Sequence, residues 1–255
     1  MVLLKGNLLF FSNIWMPETV ALTHLLTLGW MGSVMFGALY QMIPALVEGI
    51  VPFPKLSRML HTMLIPAILL MVSGFFWNHS WMLKASLALL FPTILLFLLQ
   101  LVQPLVQADG SRLVVLAMRF AAICLAFTLL LGSLNLVQYS GWWPGFLDSN
   151  LLKTLHLQMG LLGWNGFLIF GVGFYVIPMF YLSKPFSDNQ ARSILLTAFG
   201  SLSALSIGSI LGMGKDWLLL LSLPGSASVF YFSFTLLRML HQRKRKVYDS
   251  TLRLW

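Results

Sequence analysis

Residues 163–178 read Gly-Trp-Asn-Gly-Phe-Leu-Ile-Phe-Gly-Val-Gly-Phe-Tyr-Val-Ile-Pro, and residues 29–44 read Gly-Trp-Met-Gly-Ser-Val-Met-Phe-Gly-Ala-Leu-Tyr-Gln-Met-Ile-Pro. The two stretches align without a gap at a shift of 134 residues, and the same shift places Arg58 on Arg192 and Gly74 on Gly208. A period this long is not that of a solenoid repeat. It predicts a duplicated block of several helices, as in membrane proteins built from parallel repeats.

The composition predicts that these helices lie in a membrane. The chain is 58% hydrophobic and 9% charged, with a mean hydropathy of +0.86. So little charge cannot cover the surface of a water-soluble domain of 255 residues. The net charge of +9 is carried by loop lysines and arginines that orient the chain in the bilayer, so we expect no nucleic-acid partner. The single Cys124 excludes a disulfide within the chain.

The apolar segments predict an all-α membrane protein with seven transmembrane helices in a single domain covering residues 1–255. The predicted spans are 19–45, 59–77, 81–103, 113–138, 153–181, 193–213 and 217–240. The repeat halves cover about 19–110 and 153–240, and the helix at about 113–138 links them. All seven acidic residues fall at predicted span ends, so a buried carboxylate relay of the kind used by proton pumps is missing.

The basic residues predict the orientation of the spans. One side of the predicted topology has Lys5, Lys84, Lys153 and Lys215. The other side has more: Lys55, Arg58, Arg112, Lys184, Arg192 and the tail residues 243–246. Because cytoplasmic loops are enriched in lysine and arginine, we expect the N-terminus outside and the C-terminus in the cytoplasm.

Three of the five histidines fall at the outer level of the predicted spans. His24 and His156 open the first and fifth spans, which run in the same direction, and His79 ends the second. Three imidazoles at one level are suitable ligands for a haem or a metal ion.

The residues that follow His156 indicate what that site could hold. A continuous α-helix would place one set of residues on one face: His156, Gly160, Gly163, Phe167, Phe170 and Phe174. Glycines below a histidine leave room for a large flat group such as a haem ring, because no side chain blocks the approach. The alternative is a glycine groove for close helix packing, with His156 as a hydrogen-bonded residue near the membrane surface.

We therefore predict two overlapping sets of site residues. The predicted cofactor-binding residues are His156, His24, Gly160, Gly163, Trp164 and Phe167. The predicted metal ligands are His156, His24 and His79.

The stretch from His156 to Gly166 resembles the tenth helix of haem-copper oxidase subunit I, and most closely the C-family cytochrome c oxidases and their nitric oxide reductase relatives. In that family the helix opens His-x-His and continues to Gly-Trp-Asn-Gly and a later Ile/Val-Pro. The resemblance implies that His156 is the proximal ligand of the high-spin haem. Gln158 stands where the family has the histidine of the low-spin haem.

Two more segments resemble the same family. His24 precedes Gly37, Tyr40 and Pro44 at the spacing of the sixth helix, which implies the position of a copper ligand. The second span ends Trp-Asn-His-Ser, like the seventh helix, with His79 in the place of one member of a copper-binding His-His pair. The resemblance implies that the chain corresponds to helices six to twelve of a twelve-helix subunit.

Three functions are compatible with these residues. His156 and His24 could clamp one haem b from both faces as a six-coordinate electron-transfer centre, and this is the function we expect. Alternatively, His156 alone holds the iron, and His24 and His79 hold copper or line a site for a diatomic gas, nitric oxide or oxygen. The third alternative is a cofactor-free structural subunit or small-molecule carrier. No Cys-x-x-Cys-His motif is present, so covalent haem attachment is excluded.

We do not expect this chain alone to be a complete oxidase or reductase, because the second tenth-helix histidine and a full copper triad are missing. We expect an oxidoreductase subunit in the bacterial inner (cytoplasmic) membrane, in contact with the lipid bilayer. It would form a homo-oligomer or join other redox subunits, with a cytochrome c-type protein as a candidate electron donor. Copper is the candidate second cofactor.

Overall fold

The computed structural model describes residues 14–108, 112–143, 145 and 147–242. Within them, seven helices are long and apolar enough to cross a membrane, and no strand is formed. They are α1 (Pro17–Val47), α2 (Pro54–Phe76), α3 (Ser80–Val106), α4 (Arg112–Tyr139), α5 (Ser149–Tyr181), α6 (Asp188–Ile210) and α7 (Lys215–His241). The prediction of an all-α integral membrane protein is confirmed. Lys5 and the tail residues 243–246, which entered the prediction of orientation, lie outside the described residues.

Helix ends differ from the predicted ones where polar residues cap them. α6 begins at Asp188 rather than 193, because the Ser187 hydroxyl accepts from the Gln190 amide and the Gln190 side chain accepts from the Ser187 backbone. α5 begins at Ser149 rather than 153, because the Asp148 carboxylate accepts from the Asn150 amide. His156 therefore lies about two turns inside α5 and not at its start.

The helix boundaries agree with the predicted internal repeat. α2 and α6 begin and end 134 residues apart, and so do the ends of α1 and α5. α1 and α5 are each followed by a residue with a left-handed backbone conformation, Glu48 (φ 56°) and Leu182 (φ 48°), which are also 134 residues apart. Asn78 and Gly212, which follow α2 and α6, form another such pair (φ 53° and 67°). α4 links the halves, and α1 and α5 run in the same direction.

Both halves also contain a π-helical segment in their first span. The segments cover Leu25–Gly32 in α1 and Gln158–Asn165 in α5, and each includes the Gly-Trp pair of the repeated motif. In α5 the Asn165 side chain donates to the carbonyl of Gly160 at 3.0 Å. Because π-helical bonds join residues five apart rather than four, residues beyond such a segment point in a different direction from those of a continuous α-helix.

The first spans of the two halves face each other without close backbone packing. Among the described residues, α4 packs along the whole of α5, whereas α1 packs on α2, and no extended contact joins α1 to α5. Side chains bridge α1 and α5 instead. Near mid-span, Trp164 meets Phe36 edge-to-face at 6.2 Å between ring centroids. Closer to one end, His24 meets His156.

Candidate functional site

The structure brings His24 and His156 together across the space between α1 and α5. Their ring centroids lie 6.0 Å apart and their planes are inclined by 19°. Each residue lies seven positions inside its helix, and both are half-buried. We call this end of the bundle, where α1, α3, α5 and α7 begin, the histidine end; it is the predicted outer end.

Backbone hydrogen bonds fix the tautomer of both rings. The His24 Nδ1 lies 2.8 Å from the carbonyl oxygen of Val20, and the His156 Nδ1 lies 3.0 Å from that of Thr128 on α4. A carbonyl oxygen only accepts, so each Nδ1 carries the proton and donates it. Each Nε2 therefore keeps a lone pair that can bind a metal ion, which is the usual state of a metal-ligating histidine.

The spacing of the two rings fits the axial ligands of a single ion. A metal–imidazole nitrogen bond is about 2 Å long and the ring centre lies about 1 Å beyond the nitrogen, so two imidazoles on opposite sides of one ion have centroids about 6 Å apart. The observed 6.0 Å agrees with this value. The two rings are stacked, and it is their separation alone that agrees with a bis-histidine haem.

Two residues that were not predicted from the sequence, Gly132 and Phe75, contact the imidazole pair. Gly132 on α4 lies against His156: a Cβ at this position would be 2.7 Å from the His156 Cε1 atom. On the other side, the Phe75 ring stacks on His24 at 6.2 Å and 24°. The signal for Gly132 was present in the sequence, because Cys124, Thr128 and Gly132 recur every four residues and form a small-residue stripe on α4.

Gly160 and Gly163 lie against α4 and do not line a space beside the imidazoles. A Cβ at Gly163 would be 2.6 Å from Cys124 Cβ and Sγ, and one at Gly160 would be 3.2 Å from Thr128 Cγ2. The expectation that these glycines leave room for a haem ring is corrected accordingly. The contacts support the alternative of a groove for close helix packing.

Trp164 and Phe167, also predicted to bind the cofactor, belong to the core. Trp164 is 6% exposed and packs on Phe36 and Phe97, and Phe167 is 1% exposed and packs on Phe120. His156, Gly160, Gly163 and Phe167 share the expected face, which lies against α4 on both sides of the π-helical segment. Beyond it, Phe170 and Phe174 both contact Phe232 of α7 rather than α4.

His79 is not part of a three-histidine site. It is the exposed residue before the first turn of α3, and the described residues contain no group of three His, Cys, Asp or Glu side chains that could hold a metal ion. Its neighbour Asn78 accepts from the Tyr139 hydroxyl at 3.4 Å. The Tyr139 ring in turn packs on Phe75, so this end of α2 presents an aromatic ring to His24. The predicted copper site thus has no ligand set in the described residues.

Gln158, which stands where the resembling family has its second histidine, is a buried polar link to α6. Its Oε1 accepts from the Ser206 hydroxyl at 3.0 Å, and its Nε2 donates to Ser209 Oγ at 3.3 Å. Both ends of the amide are therefore satisfied within the protein, and we assign this residue no ligand role.

The fold and the site together define an integral membrane protein in which two repeat halves place one histidine each at a common site. No protein-family model, curated protein or solved structure matches the chain. The resemblance to haem-copper oxidases therefore stays a prediction from the sequence motifs.

Proposed function

We propose that this chain is a membrane haem b protein whose iron is held by His24 and His156, and that it transfers electrons as a subunit of a larger redox complex. The observation that carries the proposal is the imidazole pair itself. The rings lie 6.0 Å apart at 19°, and each Nδ1 is bonded to a backbone carbonyl. Haem b would supply one-electron redox chemistry at this position.

The pair favours electron transfer over binding of a diatomic gas. A gas ligand needs an open coordination position on the iron, and an imidazole on each face leaves none. His79, the residue expected to complete a haem-copper site, is exposed and outside the pair. The residues of this chain would thus act by holding the iron six-coordinate in both oxidation states.

The site also bears on partners and location. It lies about two turns from the histidine end, close enough for electron exchange with a protein docked at that face. By the predicted orientation, that face is the outer face of a bacterial inner membrane. A cytochrome c-type donor and other redox subunits are the partners that we propose there.

The proposal is tested on full-length protein purified in detergent. A pyridine haemochrome assay measures haem per chain, and reduced-minus-oxidised spectra with and without carbon monoxide report coordination. We expect wild-type protein to contain b-type haem whose spectrum carbon monoxide does not change. His24→Ala and His156→Ala should each lose haem or become reactive toward carbon monoxide.

The matched control is His79→Ala, because His79 is a histidine near the same end of the bundle that does not join the pair. It should keep the wild-type haem content and spectrum. Purified wild-type protein without a Soret band would contradict the proposal, and so would unchanged haem in both paired-histidine variants. A carbon monoxide adduct in the wild type would favour the gas-binding alternative.

A further inference from the structure

An arginine interrupts the apolar outer surface of α4. Arg119 lies seven residues after Arg112, the first residue of this helix, and both are exposed. Seven residues make almost two full turns, so the two arginines lie on the same face. Ile123, Phe127 and Leu130 continue that exposed face toward mid-span. Two cations thus stand at the head of an apolar stripe, at the end of the bundle opposite the histidine end.

The position of Arg119 along α4 places its charge at the edge of the hydrocarbon. α4 has 28 residues and is about 42 Å long, whereas the hydrocarbon core of a bilayer is about 30 Å thick. A helix centred in the bilayer therefore extends about 6 Å beyond each side, and the Arg119 Cα atom, about 10 Å from the helix start, lies about 4 Å inside. Because helical side chains lean toward the start of their helix, the guanidinium reaches the level of the lipid phosphates.

The Arg119 guanidinium is fixed by the protein but only partly satisfied by it. Nε and Nη2 donate to the Leu105 carbonyl at 2.9 and 2.6 Å, and this carbonyl belongs to the last turn of α3, where helix carbonyls lack partners within the helix. These bonds use two of the five N–H groups of an arginine. The described part of the chain gives neither Arg119 nor Arg112 an ion pair. Both charges are therefore available to a ligand from outside the chain.

We propose that Arg119 and Arg112 bind the phosphate of an anionic phospholipid, whose acyl chains lie along the apolar stripe of α4. A phosphate matches the planar fork of a guanidinium, and a cation at this depth is costly without an anion beside it. Two arginines without carboxylate partners favour an anionic lipid over a zwitterionic one, because the amine of a zwitterionic headgroup brings another positive charge to the site.

The surface around the arginines fits a lipid better than a free phosphate ion. Besides the stripe on α4, the last turns of α3 carry a row of exposed apolar residues at helical spacing, Leu99, Val102 and Val106. α3 packs against α4, and the Leu105 carbonyl that holds Arg119 lies between two of these residues in the sequence. Apolar surface of this kind is covered by acyl chains in a bilayer, and a water-soluble anion would leave it uncovered.

The test measures lipid binding to full-length, delipidated protein by native mass spectrometry from mild detergent. Phosphatidylglycerol is titrated against phosphatidylcholine with the same acyl chains. Wild-type protein should prefer phosphatidylglycerol about tenfold. Arg119→Gln removes the charge but keeps an amide donor for the Leu105 carbonyl. It should lower the affinity for phosphatidylglycerol about tenfold, the effect of one lost charged hydrogen bond, and remove most of the preference.

Two further variants accompany Arg119→Gln. Arg112→Gln changes an exposed side chain at the helix start and should lower the affinity for phosphatidylglycerol about fivefold. Arg192→Gln is the matched control, because it removes an exposed arginine from the same end of the bundle, on α6. It should keep the wild-type preference.

Three results would overturn the inference. An unchanged preference in Arg119→Gln would mean that the guanidinium only caps α3, and if that variant does not fold, an unchanged preference in Arg112→Gln decides in the same way. Equal losses in Arg119→Gln and Arg192→Gln would indicate general surface charge. Glycerol phosphate that displaces the lipid at an equal concentration would indicate a free-phosphate site. None of these measurements involves haem, so the proposed function is tested separately.

Discussion

Gly132→Ala tests the way that α4 holds His156. A Cβ at position 132 would lie 2.7 Å from the His156 Cε1 atom and 3.1 Å from its Nδ1 atom. The ring would have to recede by about 0.7 Å to restore an ordinary van der Waals contact of 3.4 Å. That movement strains the 3.0 Å hydrogen bond from Nδ1 to the Thr128 carbonyl, which sets the tautomer.

The expected cost falls on haem binding rather than on folding. Overpacking by one methyl group costs about 1–3 kcal/mol where the surroundings cannot yield. In the apoprotein the imidazole can rotate away and avoid much of this cost. An axial ligand cannot, so haem affinity should fall about 5- to 150-fold, at 1.4 kcal/mol for each factor of ten.

The assay is a haem titration of apoprotein, with size-exclusion chromatography and thermal unfolding to verify the fold. Gly37→Ala is the matched control, because Gly37 lies inside α1 and its added Cβ would meet nothing within 4 Å. Alanine is the better helix former by about 1 kcal/mol, so this control should be neutral or slightly stabilising. Wild-type haem affinity and an unchanged spectrum in Gly132→Ala would refute the assignment of His156 as a ligand held by α4.

Three further predictions concern packing on either side of α5. Gly163→Ala should lower the unfolding temperature, because the added Cβ would lie 2.6 Å from Cys124 Cβ and Sγ. Adding Cys124→Gly should restore the unfolding temperature, and failure of this rescue would mean that α4 and α5 do not touch at these two residues. Cys124 is 1% exposed, so a maleimide should label it in SDS but not in folded protein; rapid labelling in mild detergent would contradict the α4–α5 packing. Ser206→Ala removes the hydrogen-bond donor to Gln158 Oε1 and should destabilise the protein by about 1–3 kcal/mol in reversible unfolding. Ser226→Ala, at an exposed serine, should change stability little, and equal effects of the two variants would argue against the buried hydrogen bond between α5 and α6.

Hydropathy was sufficient to predict the spans but not their ends. A segment of about 20 apolar residues has few alternatives to a transmembrane helix, so all seven were found. The ends depend on single side chains, and a charged residue such as Asp188 reads as loop in a hydropathy profile although it is the first residue of α6. Caps at Ser187 and Asp148 were present in the sequence and could have corrected both starts.

The depth of the two histidines in the membrane was predictable from the sequence, but the residues that surround them were not. Two histidines near the start of parallel spans must lie at a similar level, so the sequence predicts that His24 and His156 lie at the same depth. Which residues surround them depends on the rotation of each helix about its axis. The π-helical segments set that rotation, and nothing in the composition of Gln158–Asn165 distinguishes it from an α-helix. The face that carries His156, Gly160 and Gly163 was predicted, but the helix that it packs against, α4, was not.

The repeat explains why the two histidines can meet although they are not equivalent. The counterpart of His24 at the 134-residue shift is Gln158, and each of these contacts the span that follows its own: His24 through Phe75 of α2, Gln158 through Ser206 of α6. His156 lies two residues earlier, which at 3.6 residues per turn rotates it by about 200°. It therefore points away from α6, toward α4 and the other half. A histidine in strict register with His24 would face α6, so the paired site depends on this offset within the repeat.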